Sequence, residues 1–484
     1  MALNSSGPIS LGGSTVGQSI NLELGQSATA QASMNATNFR TLAGVASGQI
    51  SISNFYGKSN ITGWFGIYQS TIPASSTYNS ARGVVVDGSN NLYVIATTNN
   101  NAALLKISST GSLTAQKQYT NFNVDATGDY VCNMLLDGSG NIYAYTSNAK
   151  ILKADSSFAY SAGRASKGWT TAATSIYSLK LTKDSSGNLF AYMYSSDDCG
   201  NGACQAQKYN SSLVAQGSPA QFGSYTTGPN GSIAVDGSDN IYVFADSGQD
   251  DANKNYLVKY NSSLTFQWSR RLSETQQGYG VMTSAVDSSG NSYLVGTGTG
   301  TCTIMKVNTS GTLQWARKLV PASSYGGKPH QVIVGGDGFI YICGTVPLSV
   351  YNYYIGWIAK YNSSGVLQWQ REIANSTAGV GYGAICGIAY TSGGLAIAGN
   401  VKSNGAEQGN SLIGYLPLDG AGTGTYNLGG VSVVYRAGTF TESAYTITLS
   451  TITYDKTWSF GNNNSTISST ASTPTVNTSV ANLA

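Results

Sequence analysis

The side chains that most often carry chemistry are sparse here, and most of them recur at a fixed interval. His330 is the only histidine. It follows Pro329, so at most one histidine-centred triad could be assembled, and a loop histidine satisfied by its neighbours is the simpler reading. Aspartates return as Asp87, Asp137, Asp184, Asp236, Asp287 and Asp337, each in a turn where a carboxylate caps a hairpin. They lack the alternating oxygen ligands of a calcium loop. The acidic clusters outside those turns are Asp197 with Asp198 and Asp246 with Asp250 and Asp251. Paired-carboxylate glycoside hydrolysis needs two such groups at a set separation, which spacing in the chain does not fix. Gly57-Lys58-Ser59 has the end of a phosphate loop, but the glycine required five residues earlier is Ile52. Among six cysteines, Cys199 and Cys204 are close enough for a local bridge, while Cys132, Cys302, Cys343 and Cys386 read as isolated thiols, and zinc-type spacings are absent. No catalytic residue, metal ligand or cofactor is assigned.

Recognition chemistry is richer. Tyr78, Tyr130, Tyr177, Tyr225, Tyr279, Tyr325 and Tyr382 each stand shortly before an apolar run, and Tyr351-Asn352-Tyr353-Tyr354 forms an unusually aromatic loop. Such tyrosines suit either stacking on sugars or packing with the hydroxyl satisfied locally. Tyr351, Tyr353 and Tyr354, with the seven repeated tyrosines, are the candidate ligand-binding set. Lysines repeat as well, at Lys106, Lys153, Lys208, Lys259, Lys306 and Lys360, with Gly414 in the seventh place. A ring of ammonium groups could hold an anionic polysaccharide, and the plainer alternative is that each lysine keeps a strand end soluble.

The elements that must position these residues follow from the repeat itself. An apolar run, an acidic residue, a tight turn and an aromatic strand recur about every 50 residues, as in Val84 to Tyr93 and Leu135 to Tyr143. Each unit parses into four strands. Around Asp236 they are Ser232 to Asp236 (a), Asn240 to Ala245 (b), Tyr256 to Tyr260 (c) and Thr265 to Leu272 (d). Asp-Gly-Ser-Gly-Asn makes the a–b turn, Lys-Tyr-Asn-Ser-Ser the c–d turn, and outer strands such as Leu313-Gln314-Trp315 follow. Four short strands at a fixed period without helices describe the blade of a β-propeller. The six acidic turns plus a degraded copy at Thr391 predict seven blades, with six or eight as alternatives. Trp64 to Gln69 reads as a strand d without its own blade, placed to complete the last one and remove an open edge; Gly424 to Gly429 is the rival.

The expected architecture is therefore all-β: a small N-terminal module (1–60), a seven-bladed propeller of four-stranded blades (61–430), and C-terminal strands with an extended arm (431–484). Within the module Ile20, Leu22 and Leu24 alternate as a strand would, Ala28 to Leu42 can hold a short helix, and Ile50 and Ile52 restart the alternation. Val431 to Tyr435 and Tyr445 to Tyr454 alternate as strands, and Asn462 to Ala484 is uncharged and rich in Ser, Thr and Asn, an arm expected to order against a partner. With 10% charged residues and a net charge of +3 over 484 residues, nucleic acid is not an implied partner. No apolar run predicts a signal peptide or membrane insertion. The b–c loops after Ser195, Asp246, Val346 and Lys402 are long and unlike one another, so the face bearing the b–c and d–a loops is the candidate recognition surface.

Gly7-Pro8-Ile9-Ser10-Leu11-Gly12, Ser19 to Gly25 and the closing Ile50 to Ser59, with Phe55-Tyr56-Gly57-Lys58-Ser59, resemble an N-terminal module of tailed-bacteriophage structural proteins. The Asp-x-x-Gly-Asn-x-Tyr phrase resembles a bacterial propeller repeat. The first resemblance implies a virion protein assembled in the host cytoplasm, a homo-oligomer joined to other virion proteins through its N-terminal module and C-terminal arm. Ile20, Leu22, Leu24, Phe55 and Tyr56 would be the docking residues. It further implies an exposed tail fibre or tail-tip appendage that contacts host-surface glycans. The alternatives are a head-decoration or tail-assembly protein with no ligand, or a polysaccharide-degrading enzyme.

Overall fold

The computed structural model describes residues 3–4, 7–15, 18–24, 26–31, 33–43, 45, 47–56, 63–70, 80–98, 101–123, 133–146, 150–166, 175–196, 202–222, 231–246, 254–275, 282–298, 301–321, 327–347, 354–375, 382–391, 393–402, 409–451, 464–466, 471–472 and 476–482. Seven four-stranded antiparallel blades form a ring, a β-propeller. In order a to d, blade one is Ser80–Val86, Leu92–Thr98, Asn101–Ile107 and Leu113–Asn123. Blade two is Met134–Leu136, Ile142–Thr146, Lys150–Ala154 and Tyr160–Ser166. Blade three is Ser175–Lys183, Leu189–Ser196, Gly202–Tyr209 and Ala215–Phe222. Blade four, Gly231–Val235, Ile241–Asp246, Lys254–Tyr260 and Phe266–Thr275, matches the sequence parse within a few residues. Blade five is Met282–Val286, Ser292–Gly298, Thr301–Val307 and Leu313–Val320. Blade six is Lys328–Val334, Ile340–Pro347, Tyr354–Tyr361 and Leu367–Asn375. Blade seven contributes Tyr382–Thr391, Gly394–Lys402 and Gly409–Leu416.

The fourth strand of blade seven comes from the start of the propeller. Trp64–Ser70 pairs antiparallel with Gly409–Leu416, from Trp64 opposite Tyr415 to Tyr68 opposite Ser411. The ring is thus closed by the N-terminal strand, and Gly424–Leu428, its rival, lies instead in a hairpin with Val431–Ala437 outside blade six.

The core is a set of layers between blades. Tyr93, Ile95 and Leu104 of blade one meet Ile142 and Leu152 of blade two, and Phe190 and Tyr192 of blade three meet Ile233, Val243 and Val258 of blade four. Central strands are buried on both faces, which is why Leu92 to Thr97 is apolar nearly without a break. Each fully buried large side chain contributes roughly 1.5–3 kcal/mol.

Two expectations at the ends are corrected. Ser19 to Gly25 is not a strand: Ile20–Glu23 forms one helical turn, capped by Ser19, whose Oγ accepts from Leu22 N at 3.3 Å. Period two and a single helical turn both suit so short a run, and the cap decides. The restart at Ile50 and Ile52 likewise becomes a 3₁₀ turn, Ile52–Phe55, while the expected helix is confined to Thr37–Ala43. The described segments of the C-terminal arm pair with strands of its own propeller. Val431–Ala437 adds to strand d of blade six, Thr441–Ala444 to blade five, Leu449–Thr451 to blade four, Asn464–Thr466 to blade two, Ala471–Ser472 to blade one and Val476–Asn482 to Trp64–Ser70. Every one of these pairings is antiparallel, and the chain travels round the rim against the direction in which the blades were laid down. The expected strand Tyr445 to Tyr454 is broken accordingly: Tyr445 to Thr448 crosses from one blade to the next.

Candidate functional site

On the face carrying the a–b and c–d turns, the repeated chemistry is consumed internally. Asp137 Oδ1 accepts from Ser139 N and Asn141 N at 2.9 and 2.8 Å, and Oδ2 accepts from Asn141 Nδ2 at 2.8 Å and Tyr143 Oη at 3.2 Å. Asp87, Asp236 and Asp287 repeat the arrangement. Burial works against ionisation at Asp87 and Asp137, but the bonds from the turn outweigh it and hold both below the ordinary carboxylate range.

The strand c lysines are not displayed either. Each ammonium lies over the aromatic ring of its own strand b, as Lys153 Nζ lies 5.3 Å from the Tyr143 centroid, and all but that of Lys106 donate to the c–d turn of the following blade. Lys153 Nζ donates to Ser211 O at 2.8 Å, Lys208 to Ser262 O at 3.0 Å, Lys259 to Thr309 Oγ1 at 3.0 Å, Lys306 to Ser363 O at 3.3 Å and Lys360 to Leu418 O at 3.1 Å. These five lysines tie blade to blade. Burial lowers the pKa of Lys360, against the pull of Asp337 at 3.5 Å.

Strand d adds two further ties to the same turns. Trp268, Trp315 and Trp369 donate Nε1–H to Thr309 O, Ser363 O and Leu418 O, and Arg270, Arg317 and Arg371 donate Nε–H to Gly311 O, Gly365 O and Gly420 O. At the ring closure Trp64 Nε1 donates to Ser109 O at 2.7 Å, and Tyr68 Oη takes the arginine's place, donating to Gly111 O at 2.7 Å. The turn glycine is required: a Cβ on Gly365, whose φ is +76°, would lie 2.6 Å from Trp315. Blades one to three carry Ala115, Ala162 and Gln216 opposite the strand c lysine in place of tryptophan. The turns they face carry Phe158, Leu213 and Leu264 at positive φ instead of glycine. A bulky turn residue fills the space that a tryptophan fills elsewhere, and Phe158 meets Tyr93 edge-on at 6.0 Å.

Around the axis, strands a are stitched by side chains. Asn133 accepts from Leu181 N, Ser232 from Ser284 N, Thr283 from Val332 N and Gln331 from Ile388 N. His330 is fully buried on a register shift between Pro329 and Gln331, its Nδ1 2.9 Å from Ile385 O. It belongs to strand a of blade six rather than to a loop, and its ring is engaged in joining blades six and seven. Cys204 is buried with its Sγ 3.2 Å from Tyr192 Oη; Cys199 lies outside the described residues. Among the described residues no cluster of three metal-ligating groups occurs, and no helix is long and apolar enough to cross a membrane.

No family model matches the chain, and no curated protein matches it. Solved structures similar to it include a catalytically inactive virginiamycin B lyase from Staphylococcus aureus with quinupristin, at 11% identity over 72% of this chain and 99% of that one, with a TM-score of 0.42. Polysaccharide lyase Uly1 is similar at 9% identity over 72% and 92%, with a TM-score of 0.42. Quinohemoprotein alcohol dehydrogenase from Comamonas testosteroni is similar at 11% identity over 75% and 77%, with a TM-score of 0.40. These likenesses bear on neither substrate nor activity.

The sequence assigns the candidate recognition residues to the opposite face. Tyr78, Tyr130, Tyr225, Tyr279, Tyr325, Tyr351 and Tyr353 lie outside the described residues. Tyr177 and Tyr382 are in strands a of blades three and seven, not in loops before them, and Tyr177 falls on a register shift. Tyr354 opens strand c of blade six, half-buried, with Lys328 Nζ 5.8 Å from its ring centroid. Its backbone bridges to that of Tyr382 in parallel register. In the module, Ile20 and Phe55 are buried with Phe39 and Leu42, and Leu22 and Leu24 are half-buried. Ile20, Leu24 and Phe55 therefore pack in the module's own core, while Tyr56 is 37% exposed with its Oη donating to Gly7 O. Sequence reading missed the turn-face ties because each joins residues 40 to 60 positions apart, though the paired recurrence of Trp with Gly was visible in it.

Proposed function

We propose that this is a non-catalytic display protein of a tailed-phage particle: the N-terminal module docks, and the propeller holds its variable loops toward host-surface glycans. The observation that carries the reading is the direction of the closing strand. Trp64 enters the ring beside the c–d turn of blade one, and Ser70 leaves at the other face. The module is thereby attached on the uniform turn face, and the dissimilar b–c and d–a loops stand on the opposite one. Rigid ties on the attached side and variation on the far side suit a scaffold that presents loops.

The non-catalytic reading is supported by where the reactive groups among the described residues are used; Asp197, Asp198, Asp250 and Asp251 lie outside them. The turn carboxylates cap hairpins, and His330 is buried between blades. Glycan recognition rests on the tyrosines of the loop face, Tyr351 and Tyr353 above all. Glycan-array binding by the full chain and by Tyr351→Ala and Tyr353→Ala tests it. Binding by the parent chain with loss of at least tenfold in the variants is expected; equal binding by all three, or release of reducing ends from a bound polysaccharide, would replace the reading with an inert lattice protein or an enzyme.

A further inference from the structure

The strand that connects the module to the propeller is Trp64–Ser70, and without the arm it would be the outer edge of blade seven. Val476–Asn482 covers that edge in full register, from Trp64 opposite Asn482 to Ser70 opposite Val476. The connecting strand therefore has five paired residues on its inner side and seven on its outer side. Elsewhere the arm spends two to five paired residues per blade. Its longest pairing is with the one strand that leads to the module.

We propose that Val476–Asn482 is a mechanical clamp: it converts the tether strand from an edge strand into an interior one, so that tension between module and propeller is resisted in shear. Force applied at residue 63 and opposed at the loop face runs along the axis of Trp64–Ser70. Hydrogen bonds on both flanks are then loaded together, whereas a strand peeled sideways loses them one at a time. Side chains add to the grip. Phe65 packs edge-on against Tyr426 and Tyr435 at 5.6 Å from each, Ala481 packs against the same cluster, and Trp64 and Tyr68 hold the c–d turn of blade one. Withdrawal must break these ties at the same time as both ladders. The inference rests on the docking reading for its biological sense, but not for its physics.

Single-molecule pulling of the full chain tests it, with one attachment tag inserted between Asn60 and Ile61 and the other between Thr299 and Gly300. Forced release is governed by the unfolding barrier. Truncation after Thr475 removes seven of the twelve pairs, and the force releasing Trp64–Ser70 is expected to fall by about half or more. Gln69→Cys with Asn477→Cys, which stand opposite each other, should raise that force when oxidised and return it to the parent value on reduction. Should truncation upset the ring, the cysteine pair still decides. An unchanged release force in the truncated chain, or in the oxidised pair, overturns the clamp. Neither result touches docking, and failure of the module to join particles would leave the clamp standing.

Discussion

At the scale of single residues, the ring is held by exchangeable solutions to one packing problem. Where strand d offers a tryptophan, the facing turn offers glycine; where strand d offers Ala115 or Ala162, the turn offers Phe158 or Leu213. Trp315→Ala should cost roughly 2–4 kcal/mol through the space it leaves. Gly365→Leu should also destabilise, because its side chain meets Trp315. Together they should recover about 1 kcal/mol or more relative to the sum, a coupling that a denaturant-unfolding double-mutant cycle reads directly. Additive losses would show that the correspondence is coincidental. The carboxylates make a second residue-scale prediction. Asp87, Asp137, Asp155 and Asp239 are held below their ordinary range, Asp155 by the Ser157 hydroxyl first and Asp239 by the Ser185 hydroxyl first. A depressed folded-state pKa adds stability above the unfolded value and loses it as pH falls through the folded one. The thermal midpoint should therefore drop as pH is taken below about 4. Asp137→Asn should lower the midpoint at pH 7 and flatten this acid limb, as calorimetry across pH will read.

At the scale of elements, the arm is the feature that changes the molecule most. Glu372, on strand d of blade six, is nearly fully buried and receives Arg436 Nε at 2.9 Å, Thr439 N at 2.9 Å and Thr439 Oγ1 at 2.6 Å. It fixes the arm where it steps from blade six to blade five. Phe440 then enters the layer between those blades, 5.0 Å from Trp357, and Ile447 enters the next one. Glu372→Ala leaves Thr439 N unpaired and removes the ion pair, which should cost about 1–3 kcal/mol. Proteolysis should cut the variant first between residues 437 and 449 while blades one to three stay intact; cleavage no faster than in the parent would mean that Glu372 is no anchor. The blades were legible in the sequence because each is a local unit: Asp, Gly and Asn fix a hairpin within five residues, and apolar strands surround it. The closing strand was legible because Ile72-Pro73-Ala74 parallels Val320-Pro321-Ala322 after a true strand d. The arm was not, since it joins strands by backbone pairing in runs as short as two residues, which leaves little side-chain pattern. Phe440 and Ile447 fall between the paired runs, so period-two reading of Tyr445 to Tyr454 merged a crossing with a strand. The candidate site was less legible: Tyr177 and Tyr382 belong to strands that begin earlier than their apolar runs suggested, and seven of the other candidate tyrosines lie outside the described residues.

At the scale of the whole molecule, the first strand of the propeller and the last described strand of the chain meet at one place. The strand after the module and the last described strand lie side by side on blade seven, so the ring is closed first by Trp64–Ser70 and then sheathed by the arm. The turn face is uniform and internally tied, and the module departs from it. The b–c and d–a connections, where the blades differ in sequence, lie on the opposite face. Attachment at one face and recognition at the other, as proposed, are in keeping with the direction of the closing strand. Density imaging of purified particles tests this most directly, with one label inserted between Asn60 and Ile61 and a second between Thr299 and Gly300. Both labels should appear on the particle, the first at its surface and the second farther out by about the thickness of the disc. A reversed order, with the loop face against the particle, or an absence of both labels from it, would contradict the account.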